Sequence, residues 1–182
     1  MKYIISGTNR IGSNTLKVSK VIQQIYAAQN EQVELITLEE LDFTLLNGRL
    51  YGQELPEPFR SLIQKINSSE GLIFVVPEYN GSYPGILKYF IDFWKYPDSF
   101  EKRPVCFIGL GGMFGALRPI EHLQQVFGYR NAFQFPERVF IQQVFKKINS
   151  DGSLNDQVIL DLLTKQAKGF SEYCKQVKSL RG

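Results

Sequence analysis

Leu72-Ile73-Phe74-Val75-Val76 is a continuous apolar run that stops at Pro77. Its residues are branched or aromatic, and the run is short. A strand buried on both faces of a parallel sheet reads this way. The chain repeats the pattern on either side. Tyr3-Ile4-Ile5 ends in Ser6-Gly7, and Val105-Cys106-Phe107-Ile108 ends in Gly109. Val33-Glu34-Leu35-Ile36 is a further strand. Ala132 to Phe135 is another, resuming at Val139-Phe140-Ile141. Pro136 interrupts it, because proline cannot donate to a strand ladder.

Helical patterns fill the gaps. Asn14 to Gln29 carries Leu16, Val18, Val21, Ile22 and Ile25 at helical spacing. Phe59, Leu62, Ile63 and Ile66 mark a second helix. Pro84 suits a first helical position and opens a third helix over Gly85 to Tyr96. Ala116 to Phe127 is a fourth, and Val158 to Val177 is a last, amphipathic one. Leu41 to Pro58 reads as a long connection with little pattern. Strict alternation of strand and helix predicts an α/β fold with helices on both faces of a parallel sheet. Five strands suggest a flavodoxin-like three-layer sandwich in strand order 2-1-3-4-5. Residues 1–182 are expected to form one domain. Ligands of such sheets bind outside the carboxyl ends of the strands. Polar, Gly-rich sequence indeed follows strands 1, 3 and 4.

Bulk properties narrow the partners. Net charge is +3, with Lys and Arg scattered rather than clustered, so no nucleic-acid partner is expected. No run approaches the length of a membrane span, and Tyr3-Ile4-Ile5 is too short for a signal peptide. The two cysteines, Cys106 and Cys174, lie far apart and outside any metal-ligand spacing. Cys106 reads as core. The cytoplasm is the expected location.

The loop after strand 1 runs Ser6-Gly7-Thr8-Asn9-Arg10-Ile11-Gly12-Ser13-Asn14-Thr15. Helix N-termini offer free N–H groups and a positive dipole end to anions. Thr8, Ser13 and Thr15 add hydroxyls, Asn14 an amide and Arg10 a guanidinium. Gly7-Thr8-Asn9 breaks the dinucleotide fingerprint. Gly7 and Gly12 have the spacing of a triphosphate loop, but Ser13-Asn14 stands where Lys-Ser/Thr is required. A site for one terminal phosphate remains, as on flavin mononucleotide (FMN). The structural alternative is a turn and a capped helix, with Ser13 or Asn14 as N-cap.

Pro77-Glu78-Tyr79-Asn80-Gly81-Ser82-Tyr83-Pro84-Gly85 follows strand 3 and continues through Ile86-Leu87-Lys88-Tyr89-Phe90-Ile91-Asp92. This segment resembles the hallmark of the NADPH-dependent FMN reductase family, Pro-Glu-Tyr-Asn-x-Ser-x-Pro-Gly-x-Leu-Lys-x-x-Ile-Asp. It matches at every named position. The first loop is similar to that family's phosphate loop, with Thr8 in place of the usual Ser and the last amide shifted at Asn14-Thr15. Gly109-Leu110-Gly111-Gly112-Met113-Phe114-Gly115, then Arg118, resembles its third site loop. The resemblance covers nearly the whole chain. It implies bound FMN, NADPH or NADH as electron donor, and a small acceptor: a quinone, an azo or nitro aromatic, chromate or free flavin. It also implies a homodimer or homotetramer with the flavin near the interface.

The residues agree with that implication. Gly81, Gly111, Gly112 and Gly115 remove side chains where a flat ring could press on backbone. Pro77, Glu78, Tyr79, Asn80 and Ser82 would border the ring, with N–H groups of residues 78–82 meeting its polar edge. Tyr79 could stack on the ring, or be a core ring. Lys88 and Asp92 read as an i,i+4 surface pair. His122, the single histidine, reads as structural. Arg118 could meet a nicotinamide phosphate or a subunit salt bridge. The third helix is apolar beyond one stripe, which calls for a second buried face. Two other functions share the fold. One is a flavodoxin-type electron carrier, against which the +3 charge weighs. The other is a non-catalytic module.

Overall fold

In the computed structural model, residues 1–180 are described. The elements are β1 (Lys2–Ser6), α1 (Asn14–Ala28), β2 (Val33–Thr37), α2 (Phe59–Ser68), β3 (Gly71–Pro77), α3 (Gly85–Asp92), β4 (Pro104–Leu110), α4 (Leu117–Tyr129), β5 (Phe133–Gln134), β6 (Val139–Ile141) and α5 (Gln157–Val177). The strands form one parallel sheet in the order β2-β1-β3-β4-β5, with β6 also on β4. This is the flavodoxin-like order. β5 and β6 are two halves of the one edge strand expected on either side of Pro136. Pro104 and Val105 pair with Phe133 and Gln134, and Ile108 to Leu110 pair with Val139 to Ile141.

Both faces of the sheet are buried, and side chains alternate between two cores. Ile5, Leu72, Phe74, Val76 and Phe107 face α2, α3 and α4. Ile4, Ile73, Val75, Cys106 and Ile108 face α1 and α5. The first core is aromatic: Phe74 lies 5.8 Å from Phe107 and 4.9 Å from Phe127, centroid to centroid. Burial pushes the Cys106 thiol well above its ordinary pKa, with Cys174 adding to the effect, so it stays a neutral core group. Among the described residues no helix is long and apolar enough to cross a membrane.

Several boundaries differ from the sequence reading. The third helix ends at Asp92 and not at Tyr96. Pro97 explains part of this, since the residue before a proline avoids helical backbone. Phe93 and Trp94 are apolar because a turn carries them back to the core, not because the helix continues. α4 starts one residue later than expected, since Ala116 takes left-handed backbone at φ 67°, and it runs on to Tyr129. The Leu41 to Pro58 connection holds short 3₁₀ turns at Phe43–Leu45 and Gly48–Leu50, each capped by the side chain before it. A third such turn, Leu38–Glu40, follows β2 directly.

Candidate functional site

β1 ends in the centre of the sheet, and its loop is tied to β3 at once. The Gly7 N–H donates to the Val75 carbonyl at 2.9 Å. Thr8 is buried. Ser13 is the N-cap of α1: its Oγ accepts from the Leu16 N–H at 3.1 Å. A hydroxyl that accepts in this way still has a proton to donate, so the capping role and a phosphate-binding role are compatible. Among the described residues, the Asn14 and Thr15 N–H groups donate to no other group of the protein. These are the free donors of a helix end, and with the dipole they favour an anion. The Arg10 guanidinium is exposed, has no carboxylate within ion-pair distance among the described residues, and lies 5.1 Å from the Tyr79 ring centroid.

The loop after β3 folds as a tight reverse turn. Asn80 and Gly81 both have positive φ, 51° and 78°. The Tyr79 N–H donates to the Ser82 carbonyl at 2.8 Å, and the Ser82 N–H to that of Tyr79 at 3.1 Å. Two consecutive left-handed residues between paired neighbours are what Asn-Gly accommodates at least cost. The turn corrects one expectation. The N–H groups of Tyr79 and Ser82 pair with each other's residue, and that of Glu78 donates to the Leu110 carbonyl at 3.2 Å. Donors toward a ligand reduce to Asn80 and Gly81.

The glycines also divide. A Cβ on Gly111 would lie 3.2 Å from the Ala116 nitrogen, and one on Gly115 would lie 3.1 Å from the Phe140 Cβ. Both are needed for packing within the protein. A Cβ on Gly81 or Gly112 would meet nothing within 4 Å, so of the four glycines expected against the ring these two leave open backbone where it could approach. The Gly112 carbonyl accepts from the Gln143 N–H at 2.8 Å, which fixes the third loop against the segment after β6.

Tyr79 joins the two main loops. Its hydroxyl lies 2.8 Å from the Thr8 Oγ1, and the Arg10 cation covers its ring. Pro77 is buried at the end of β3, and Glu78 is half-buried beside Gly111. Lys88 and Asp92 form the expected i,i+4 pair. Arg118 lies over the Phe114 ring at 5.7 Å. His122 does touch the site: its Nδ1 is 2.9 Å from the Ser82 Oγ. Beyond Ser82 and His122, a cleft of about 910 Å³ runs between α3 and α4, walled by Tyr83, Tyr89, Val126 and Tyr129.

Sequence reasoning missed Glu39. Its Oε1 accepts from the Gly12 N–H at 3.2 Å, which places a carboxylate on the loop after β1. The available signal was positional: Glu39 lies just past the end of β2, and the order 2-1 puts that end beside the loop.

These groups fit FMN. Hydroxyls, a guanidinium and free N–H groups at the α1 end suit a monoester phosphate. The open backbone at Gly81 and Gly112 suits a flat ring. The comparisons with known proteins agree. The model of the NADPH-dependent FMN reductase family matches residues 3–146. A quinone reductase of Escherichia coli K12 is 30% identical over 178 residues, covering 94% of each chain. An FMN-dependent NADPH-azoreductase of Staphylococcus aureus is 28% identical over 160 residues, covering 84% of each. In structure, the flavoenzyme FerB, an NAD(P)H:acceptor oxidoreductase of Paracoccus denitrificans, aligns with a TM-score of 0.76 at 25% identity, over 96% of this chain and 97% of that one. A family match across most of the chain, on a fold that brings the motif loops together, has one consequence: the chain is an oxidoreductase of the NADPH-dependent FMN reductase family.

Proposed function

We propose that the protein holds FMN with its phosphate at residues 8–15 and its ring against the 77–82 and 111–112 segments, and reduces a small acceptor at the expense of NADPH or NADH. The observation that carries this reading is the hydrogen bond between Thr8 and Tyr79, which makes the two loops one continuous site. FMN, when bound, supplies the chemistry by accepting a hydride from the nicotinamide and handing electrons on to the acceptor. The chain's own residues bind and orient. Ser13, Thr8, Arg10 and the α1 N–H groups hold the phosphate, and Asn14 and Thr15 contribute backbone. The Asn80 and Gly81 N–H groups meet the polar ring edge. Ser82, steadied by His122, keeps that turn in place. The quinone and azo-dye relatives support an acceptor class of quinones and azo or nitro aromatics, with chromate or free flavin as further members. A homodimer or homotetramer completes the reading, its contact lying over the α3–α4 cleft.

The test is anaerobic mixing of the FMN-loaded protein with NADPH and, separately, NADH. Loss of the flavin's visible absorbance is the expected result with at least one of them. An unchanged spectrum with both would end the oxidoreductase reading. Steady-state rates against a panel of the named acceptors then rank them.

A further inference from the structure

We infer that Glu39 sets how tightly the phosphate loop holds a flavin phosphate, and that it weakens that hold. The inference rests on the proposal that residues 8–15 take the phosphate of FMN.

Glu39 belongs to the turn Leu38–Glu40, which the Thr37 hydroxyl caps: the Glu39 N–H donates to Thr37 Oγ1 at 3.2 Å. β2 lies beside β1, so the turn abuts the phosphate loop. Oε1 accepts from the Gly12 N–H at 3.2 Å. Oε2 is buried and, among the described residues, has no hydrogen-bond partner. No Lys or Arg among the described residues lies within ion-pair distance of this carboxylate. Nothing therefore neutralises it beside the α1 N-terminus, whose free Asn14 and Thr15 N–H groups are the natural donors to an anion.

Two effects follow, and both oppose phosphate. The Gly12 N–H is already taken by an oxygen of the protein. The carboxylate also repels a second anion at close range, and its buried Oε2 is less screened than a fully solvated charge. The isoalloxazine ring feels neither effect. Glu39 therefore lowers affinity for FMN without lowering affinity for riboflavin, which has the same ring and no phosphate. An FMN held this way exchanges more readily than one in a loop without the carboxylate.

The experiment is a fluorescence titration of the full-length, flavin-free protein with FMN and with riboflavin, for wild type, Glu39→Gln and Glu40→Gln. Gln keeps the shape and an acceptor for Gly12 while removing the charge. Glu40 is exposed in the same turn and serves as the control for net charge. In E39Q, FMN binding tightens by about fivefold or more and riboflavin stays within about twofold. E40Q leaves both unchanged. The inference is overturned if E39Q leaves FMN affinity unchanged or weakens it, if both flavins shift together, or if E40Q matches E39Q. Equal binding of riboflavin and FMN by wild type and E39Q alike, or binding of neither flavin, overturns the phosphate-site proposal itself, which is a separate result.

Discussion

Arg10 is the one side chain of the proposed phosphate loop that brings a full positive charge, and it is held by a ring rather than by an acid. Its guanidinium stacks 5.1 Å from the Tyr79 centroid, an arrangement that orients the planar fork without neutralising it. Hydrogen bonds to charged groups contribute about 1.5–3 kcal/mol, and exposure moves an ion contact toward the low end. Arg10→Ala should therefore weaken FMN about tenfold and leave riboflavin unchanged. Arg10→Lys should recover part of the loss. A fluorescence titration checks this, and equal weakening of both flavins would move Arg10 from the phosphate to the ring. Arg10 and Ser13 could be proposed from the sequence because the loop that carries them is local: a strand, a few polar residues and a helix start suffice. The turn at Asn80 and Gly81 is equally local, but the sequence reading takes these residues only as a border for the ring. Glu39 and the Thr8–Tyr79 bond were not legible in the sequence. Each depends on residues far apart in the chain, and only the strand order brings them together.

At the scale of elements, order and type could be read from hydrophobic period, while ends could not. β3 and β4 are buried along their whole length, so an unbroken apolar run identifies them. The end of α3 was misread because an apolar residue reports burial, not helical backbone. Phe93 and Trp94 follow the helix in a turn, and Trp94 is buried against Phe90 and Phe100. The start of α5 was nearly right, and its cap gives a pH-dependent prediction. Asp156 accepts from the Ile159 N–H at 3.1 Å and pairs with Lys147 at 2.7 Å. The Lys147 ammonium, then the helix N–H, hold this carboxyl below the ordinary Asp value. A lowered folded-state pKa stabilises the fold above the unfolded-state value, about 3.9. That contribution fades as pH falls through the folded-state value. Asp156→Ala should lower Tm by about 2–4 °C at pH 7. The difference from wild type should shrink as pH drops below about 4. Thermal melts followed by circular dichroism across that range check both parts. A gap that stays constant down to pH 3 would assign the effect to packing instead.

At the scale of the whole molecule, the α3–α4 face exposes a cluster of aromatic side chains. Tyr129 and Tyr51 are 79% and 71% exposed at the rim of the cleft, and Tyr96 is 46% exposed nearby. Arg130 gathers these rings: its guanidinium lies 5.1 Å from the Tyr129 centroid and 5.5 Å from that of Tyr96. Tyr and Arg are the residues that concentrate binding energy at protein interfaces. A stable contact needs about 1,200–2,000 Å² of total buried surface, so a partner seated here would have to cover the outer face of α4 as well as the rim of the cleft. A second copy seated there would also cover Ser82 and His122, and so would close one side of the ring segment. Sedimentation velocity at about 10 μM, above the Kd of specific standard-size complexes, should therefore give two or four times the chain mass of 20.9 kDa. Tyr129→Ala combined with Arg130→Glu should shift the protein to a single chain. Arg130 is half-buried over the Tyr96 and Phe100 rings, so a fall in Tm would report those contacts together with loss of the partner's stabilisation. FMN affinity should fall with the dissociation if the partner helps enclose the ring, and it should hold if the contact is structural alone. A wild-type protein that sediments as one chain at this concentration would show that the aromatic cluster serves the monomer, with Arg130 holding the end of α4 against the turn after α3.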